Sequence, residues 1–160
     1  MSIATQLAIV VLLTLGQADA EFLARVERTE LLAGQKPFPR IEKDPEGNIV
    51  RLLLDGMTLS ADEFAALGKL KTLRYLALNK TNVTTGDLRR LQTLERLEGM
   101  QLNSTELGDD AMSELVKFPA LRSVCLANVA ITPEAIARLK NDFQSADRQL
   151  SLGYSQRKPK

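Results

Sequence analysis

The chain has 160 residues, 44% of them hydrophobic and 26% charged, the length and composition expected of one soluble globular domain. Its 21 Lys and Arg against 20 Asp and Glu leave a net charge of +1, so no overall field points to nucleic acid, an anionic membrane surface or an acidic substrate. Without histidine or tryptophan, and with one cysteine, it lacks the usual neutral-pH acid/base, the Ser-His-Asp and Cys-His nucleophile systems, most zinc sites and any intrachain disulfide.

Residues 1–20 read MSIATQLAIVVLLTLGQADA, with an apolar run from Leu7 to Leu15 and the small-x-small triplet Ala18-Asp19-Ala20. The pattern predicts a secretory signal peptide cleaved after Ala20, which places the mature protein in an extracytoplasmic compartment, periplasmic or secreted. Its n-region draws positive charge only from the amino terminus, and the run is short of the roughly 20 apolar residues a transmembrane anchor needs. Residues 21–48 are expected to form an N-terminal cap. This comprises a helix over Glu21 to Leu32, then Arg40 to Lys43 and the turn Asp44-Pro45-Glu46-Gly47-Asn48, a hairpin that covers the first strand at Ile49.

From Ile49 the chain repeats every 24 residues without a gap, the units starting at Ile49, Leu73, Leu97 and Leu121. The recurring apolar columns are Ile49, Leu73, Leu97, Leu121; Leu52, Leu76, Met100, Val124; Leu54, Leu78, Leu102, Leu126; and Leu59, Val83, Leu107, Ile131. Three more follow at helical spacing: Phe64, Leu88, Met112, Ile136; Leu67, Leu91, Leu115, Leu139; and Leu70, Leu94, Phe118, Asp142. Only Asp142 breaks the grid, and Phe143 sits beside it. Each unit opens with a period-two pattern that reads as a strand and closes with apolar residues three apart that read as a helix. Between them stand helix-start residues: Ser60 with Glu63, Thr84 with Asp87, and Thr132-Pro133. After the fourth unit, Arg148 to Leu152 repeats the strand alone, shifted by two residues and with no helix to follow. The repeat domain is therefore expected over 49–154, with 155–160 as a disordered tail.

The pattern L-x-x-L-x-L-x-x-x-x-[LIV] followed by a helix resembles leucine-rich repeat proteins. The helical spacer, the period of 24 and Thr81 and Thr105, where many members carry asparagine, make it similar to the bacterial secreted ribonuclease-inhibitor-like group. The resemblance implies an α/β fold: a short right-handed solenoid with parallel strands on a concave face, helices on a convex face and a capped N-terminus. Met57 and Val129 depart from the threonine column and predict less regular turns after those strands. The fold hosts many unrelated binders, so function must come from residues.

The resemblance and the strand period both turn three ladders of side chains away from the core. They are Arg51, Tyr75, Gly99, Ser123, Gln149; Leu53, Ala77, Gln101, Cys125, Ser151; and Asp55, Asn79, Asn103, Ala127, Gly153. Arg51, Asp55, Tyr75, Asn79, Gln101, Asn103, Ser123 and Cys125 are the candidate ligand-binding set, polar groups around one aromatic; the alternative is a solvated sheet face without a partner. Cys125 lacks any base to activate it and reads as an ordinary small residue, or, in an exported protein, as a cross-linking thiol. Asp109-Asp110 reads as a helix-start cap rather than a metal site. Asn79-Lys80-Thr81, Asn82-Val83-Thr84 and Asn103-Ser104-Thr105 match the glycosylation sequon, although repetition alone explains the first and third. No cofactor, metal or nucleotide motif is present, and 4% aromatic content gives no platform for nucleic acid. The expectation is a non-enzymatic module that binds a protein or peptide on the concave face, with no nucleic acid and no stable membrane anchor. The alternative is self-association through the open C-terminal strand; an enzyme using carboxylates or Cys125 ranks last.

Overall fold

The structure is a computed structural model that describes residues 17–32 and 41–157. The apolar run of the expected signal peptide, Arg40, and Lys158 to Lys160 lie outside the described residues. Helix α1 (Gln17–Leu32) is followed by β1 (Ile41–Lys43), β2 (Ile49–Leu53), α2 (Ala61–Leu67), β3 (Tyr75–Ala77), α3 (Thr85–Leu91), β4 (Gly99–Gln101), α4 (Asp110–Leu115), β5 (Ser123–Val129), α5 (Pro133–Ser145) and β6 (Ser151–Gln156). All six strands form one sheet in sequence order. β1 pairs antiparallel with β2 as the expected hairpin, and every later pair is parallel.

This architecture follows from the grid. Every apolar column member is buried, and Phe143, at 1% exposure, fills the place that Asp142 cannot. One continuous cluster runs from Phe22, Leu23 and Val26 of α1 to Phe143 of α5, so stacking neighbours provides the burial that one strand–helix unit cannot. Each strand-to-helix switch has a physical marker. Ser60 with Glu63 and Thr84 with Asp87 form complete capping boxes, and Thr132 caps α5 ahead of Pro133.

The backbone turns left-handed after β2, β3 and β4 at Gly56 (φ 74°), Lys80 (56°) and Ser104 (57°), and within β5 at Asn128 (56°), where the register shifts between Ala127 and Val129. Only glycine and asparagine favour that region, so Lys80 and Ser104 are held there by the repeat. Their amides donate to Asn103 O and Ala127 O, each at 2.8 Å. Inside the turn, Thr81 and Thr105 donate their hydroxyls to Leu78 O (2.7 Å) and Leu102 O (2.8 Å). Where Val129 replaces that threonine, β5 instead runs on for seven residues and buries Val129 completely.

Three expectations need correction. The N-terminal helix starts at Gln17 rather than Glu21 and crosses the expected cleavage point, with Asp19 buried against Lys69 Nζ at 2.8 Å. The last strand is not Arg148 to Leu152: Ser123 pairs with Ser151, 28 residues on, because α5 has 13 residues where α2 and α3 have 7. Ser123, Cys125 and Ala127 therefore stand beside Ser151, Gly153 and Ser155, not Gln149, Ser151 and Gly153. Ser155 and Gln156, expected in the tail, belong to β6.

The C-terminal end is closed by polar anchors instead of a helix. Arg148 lies over the Phe143 ring at 4.3 Å and donates to Val116 O (2.8 Å), Leu121 O (2.9 Å) and Phe118 O. The Tyr154 hydroxyl donates to Ile131 O at 2.5 Å, and Arg157 donates to Thr105 O and Glu106.

Candidate functional site

The sheet face opposite the helices carries the candidate residues in three parallel rows fixed by the strand register. Across β2 to β5 the first row is Arg51, Tyr75, Gly99, Ser123 and the second Leu53, Ala77, Gln101, Cys125. In the third row Asp55, Asn79 and Asn103 follow β2, β3 and β4, and Ala127 stands at the equivalent position within the longer β5.

The third row holds the solenoid together. Asp55 Oδ1 accepts from Asn79 N (3.0 Å), Asn79 Oδ1 from Asn103 N (2.9 Å), and Asn103 Oδ1 from Ala127 N (2.7 Å). Each side chain thus satisfies the amide that the next strand leaves free after its ladder ends. The Asn79 amide also donates to Gln101 Oε1 at 2.8 Å. Asp55, Asn79, Asn103 and Gln101 are thereby structural links in addition to surface groups, and the recurrence of Asx at one column was the available clue. All three sequon asparagines are engaged: Asn79 and Asn103 as above, and Asn82, which both accepts from Leu59 N and donates to Leu59 O at 2.8 Å.

Asp109 departs from its expected role. It makes no side-chain cap to its own helix and instead accepts from Thr132 N (2.7 Å) and Thr132 Oγ1 (2.6 Å), so it steadies the cap of the next unit. Those hydrogen bonds hold its carboxyl below the ordinary range. Asp110, in the first turn of α4, stays exposed. Cys125 is half-buried beside Gly153 and is the chain's free thiol.

The first row makes the working geometry. The Arg51 guanidinium lies 4.3 Å from the Tyr75 ring centre, a stacking distance. On its other side the ring leans on β4, where a Cβ at Gly99 would fall 2.8 Å from Tyr75 Cδ2. Glycine is needed there because the ring occupies the side-chain position. Tyr75 is thus pinned flat across two strands, and burial raises its phenol pKa above 10.0, partly offset by Arg51.

A depression of about 490 Å³ opens over this row, lined by Glu42, Asp44, Val50, Arg51, Arg74, Tyr75, Glu98, Gly99, Arg122 and Ser123. A second, of about 640 Å³, shares Asp44, Val50, Arg74 and Glu98 and continues around the strand starts to Glu46, Asn48, Thr72, Glu95, Arg96 and Ala120. The face therefore deepens at the rim where strands begin. Sequence reading missed this rim, since Arg74, Glu98 and Arg122 stand one residue before the first row. Their alternating charge at the 24-residue interval is the signal that could have found them.

The rim charges are unequally satisfied. Glu98 Oε1 accepts from both Arg74 Nε (2.8 Å) and the Arg74 guanidinium tip (2.7 Å). Arg122 reaches Glu98 only at 3.8 Å, and Arg51 reaches Glu42 only at 3.8 Å, both beyond hydrogen bonding. Arg51 Nε is buried without a hydrogen-bond partner. No group of three or more metal-ligating side chains occurs among the described residues.

No protein-family model matches the chain, and no curated protein matches it. Among solved structures, the crystal structure of internalin C2 from Listeria monocytogenes, a leucine-rich repeat protein, matches with a TM-score of 0.50 and 23% identity over 71% of this chain. The match covers 47% of the internalin C2 chain, so this protein spans about half its length. That likeness shows the fold: a leucine-rich repeat solenoid of parallel strands and helices.

Proposed function

We propose that the protein is a non-enzymatic binding module that takes a protein or extended peptide on its concave face, in an extracytoplasmic compartment. The observation that carries this reading is the pinned Tyr75 at the floor of the 490 Å³ depression, fixed by Arg51 and Gly99. A rigid aromatic in a preformed hollow loses little ordering entropy on binding, which is how a small surface gains affinity. The leucine-rich repeat fold supports protein partners, and its 24-residue units with helical spacers favour the ribonuclease-inhibitor-like group. Catalysis has no support from the sequence, because the chain has no histidine to activate Cys125.

Extracytoplasmic location rests on the apolar run Leu7 to Leu15 and Ala18-Asp19-Ala20. No helix among the described residues is long and apolar enough to cross a membrane. Mass spectrometry of the chain's N-terminus after export checks it: Glu21 as first residue is the expected result, and an intact Met1 end overturns cleavage.

The binding reading is tested by selecting random displayed peptides on the full chain and on Tyr75→Ala. Sequences enriched by the first and lost with the second support it. Equal enrichment by both moves the site off this row.

A second reading, self-association through β6, is favoured by one feature. β6 is at the edge of the sheet, and Ser151–Gln156 contains neither charge nor proline to blunt pairing. Light scattering over a concentration series decides it: a mass that stays at one chain sinks this reading.

A further inference from the structure

We propose that two copies of the chain join through β6 as a closed two-fold dimer, the two strands running antiparallel and centred on Tyr154, so that the sheets become one. The inference rests on the self-association reading above and fixes its partner, register and stoichiometry.

Strand parity shows which backbone groups face outward. Ser151 N donates to Arg122 O at 2.8 Å and Arg157 N donates to Val129 O at 3.0 Å, so the odd-numbered residues of β6 turn their amides and carbonyls toward β5. Leu152, Tyr154 and Gln156 turn theirs the other way, and among the described residues no strand lies on that side. Leu152 and Tyr154 are half-buried against the core, and the Tyr154 hydroxyl ties the strand to Ile131 O. The edge is thus a fixed row of outward backbone groups with an apolar flank.

This row is its own complement. In an antiparallel pair, alternate opposed residues exchange two hydrogen bonds each. With Tyr154 opposite Tyr154 of a second copy, Leu152 meets Gln156 and Gln156 meets Leu152, so every outward residue of both strands is used. A slip of two residues either way leaves one of them without a partner from the row. That two-fold match selects a second copy over an unrelated strand. Charge does not oppose the approach: residues 151–156 carry none, and Arg157 is held by Glu106 at 3.0 Å and Thr105 O at 2.7 Å. The other edge of the sheet does not fit β6. β1 has three residues, of which Glu42 and Lys43 are exposed, and Pro45 follows closely; short charged edges resist pairing. Association therefore joins like edges and closes at two copies instead of growing head to tail.

The first measurement is light scattering of the full chain over a concentration series. Two short strands bury less than a standard interface, so dimers are expected between about 10 μM and 1 mM. Gln156→Pro removes an exposed outward amide and, by the same parity, no bond to β5. It is expected to weaken the dimer about tenfold or more, two interchain bonds being lost, with an unchanged circular dichroism spectrum. Register is read by oxidation of Gly153→Cys and Ser155→Cys, each made with Cys125→Ala. Centred on Tyr154, positions 153 and 155 of opposite copies face each other about 4.5 Å apart at Cα, within disulfide reach. Like positions are diagonals about 8 Å apart, beyond it. A mixture of the two variants should therefore cross-link, and either alone should not. A mass of one chain up to about 1 mM, a very weak limit, or a dimer indifferent to Gln156→Pro overturns both this inference and association through β6. A disulfide formed by either variant alone, or none in the mixture, keeps a Gln156→Pro-sensitive association and discards this register; growth beyond two copies discards closure.

Discussion

Replacing Asn103 with alanine isolates what the asparagine row does, because the row has both a structural and a surface reading. The Asn103 side-chain oxygen accepts from Ala127 N at 2.7 Å. Ala127 O in turn accepts from Ser104 N at 2.8 Å, so both backbone groups of Ala127 face β4, and its amide has no partner on the β6 side. Asn103→Ala therefore leaves that amide unpaired. A buried donor without a partner costs about 1–3 kcal/mol. Ala127 is only half-buried, so water recovers part of this, and we expect a loss of about 1–2 kcal/mol. With an m-value of about 2 kcal/mol per M, the urea midpoint falls by about 0.5–1 M. Asn103→Asp keeps the accepting oxygen, as Asp55 already does one rung earlier, and is expected to cost less than about 0.5 kcal/mol. Stacked repeats can open locally, so the decisive readout is hydrogen exchange at the Ala127 amide. It should be protected in the parent chain and in Asn103→Asp, and should exchange faster in Asn103→Ala. Equal destabilisation by both substitutions, or undiminished protection in the alanine variant, would refute the ladder.

Two further perturbations test the core and the helical face. Leu102 is fully buried in the middle of the stack, and Leu102→Ala should cost about 2–5 kcal/mol in chemical denaturation. Leu53→Ala, on the outward face and half-buried, should cost far less; comparable losses would mean that the strand faces are exchanged. Glu114, only 3% exposed, has its carboxyl lowered from 4.5 to about 2, chiefly by the hydrogen bond from Lys117, with Arg89 and Gln92 adding to it against burial. A carboxyl depressed in the folded state contributes stability that is full above its unfolded pKa and lost as pH falls toward its folded one. The melting-temperature gap between the parent chain and Glu114→Gln should thus be full at neutral pH and close between 4.5 and about 2. A gap that does not change with pH would show that the carboxylate's charge is irrelevant there.

The fold was legible because the information is periodic. A column such as Leu54, Leu78, Leu102, Leu126 states the same packing rule four times, and one slip would have spoiled every row. The ends were harder to read, since an end has no neighbour to repeat. Two apolar pairs could have continued the strand, Leu150 with Leu152 or Leu152 with Tyr154; the choice depended on how long α5 runs, a tertiary matter that Asp142 and Phe143 only hinted at. For the site, the sequence located the face but not the division of labour on it. Polarity marked Asn79 and Asn103 as surface groups, and only the hydrogen bonds reveal that their oxygens are occupied along the stack.

That division has a physical logic. At the end of each strand the ladder stops and leaves an amide unpaired, so a polar side chain there is the cheapest way to join one unit to the next. At the start of each strand the backbone joins the units unaided: Arg74 N donates to Val50 O at 2.8 Å, Glu98 N to Arg74 O at 2.8 Å and Arg122 N to Glu98 O at 2.9 Å. Side chains at that rim are consequently not needed to close the backbone ladder and can vary between units, and there the four positions read Val50, Arg74, Glu98 and Arg122, of which Arg74 and Glu98 pair across neighbouring units. Recognition is therefore expected at the rim and the first row, and stability in the third row, whose side chains join one unit to the next. Arg122→Glu should alter binding with little change in stability, whereas Asn103→Ala should lower stability first.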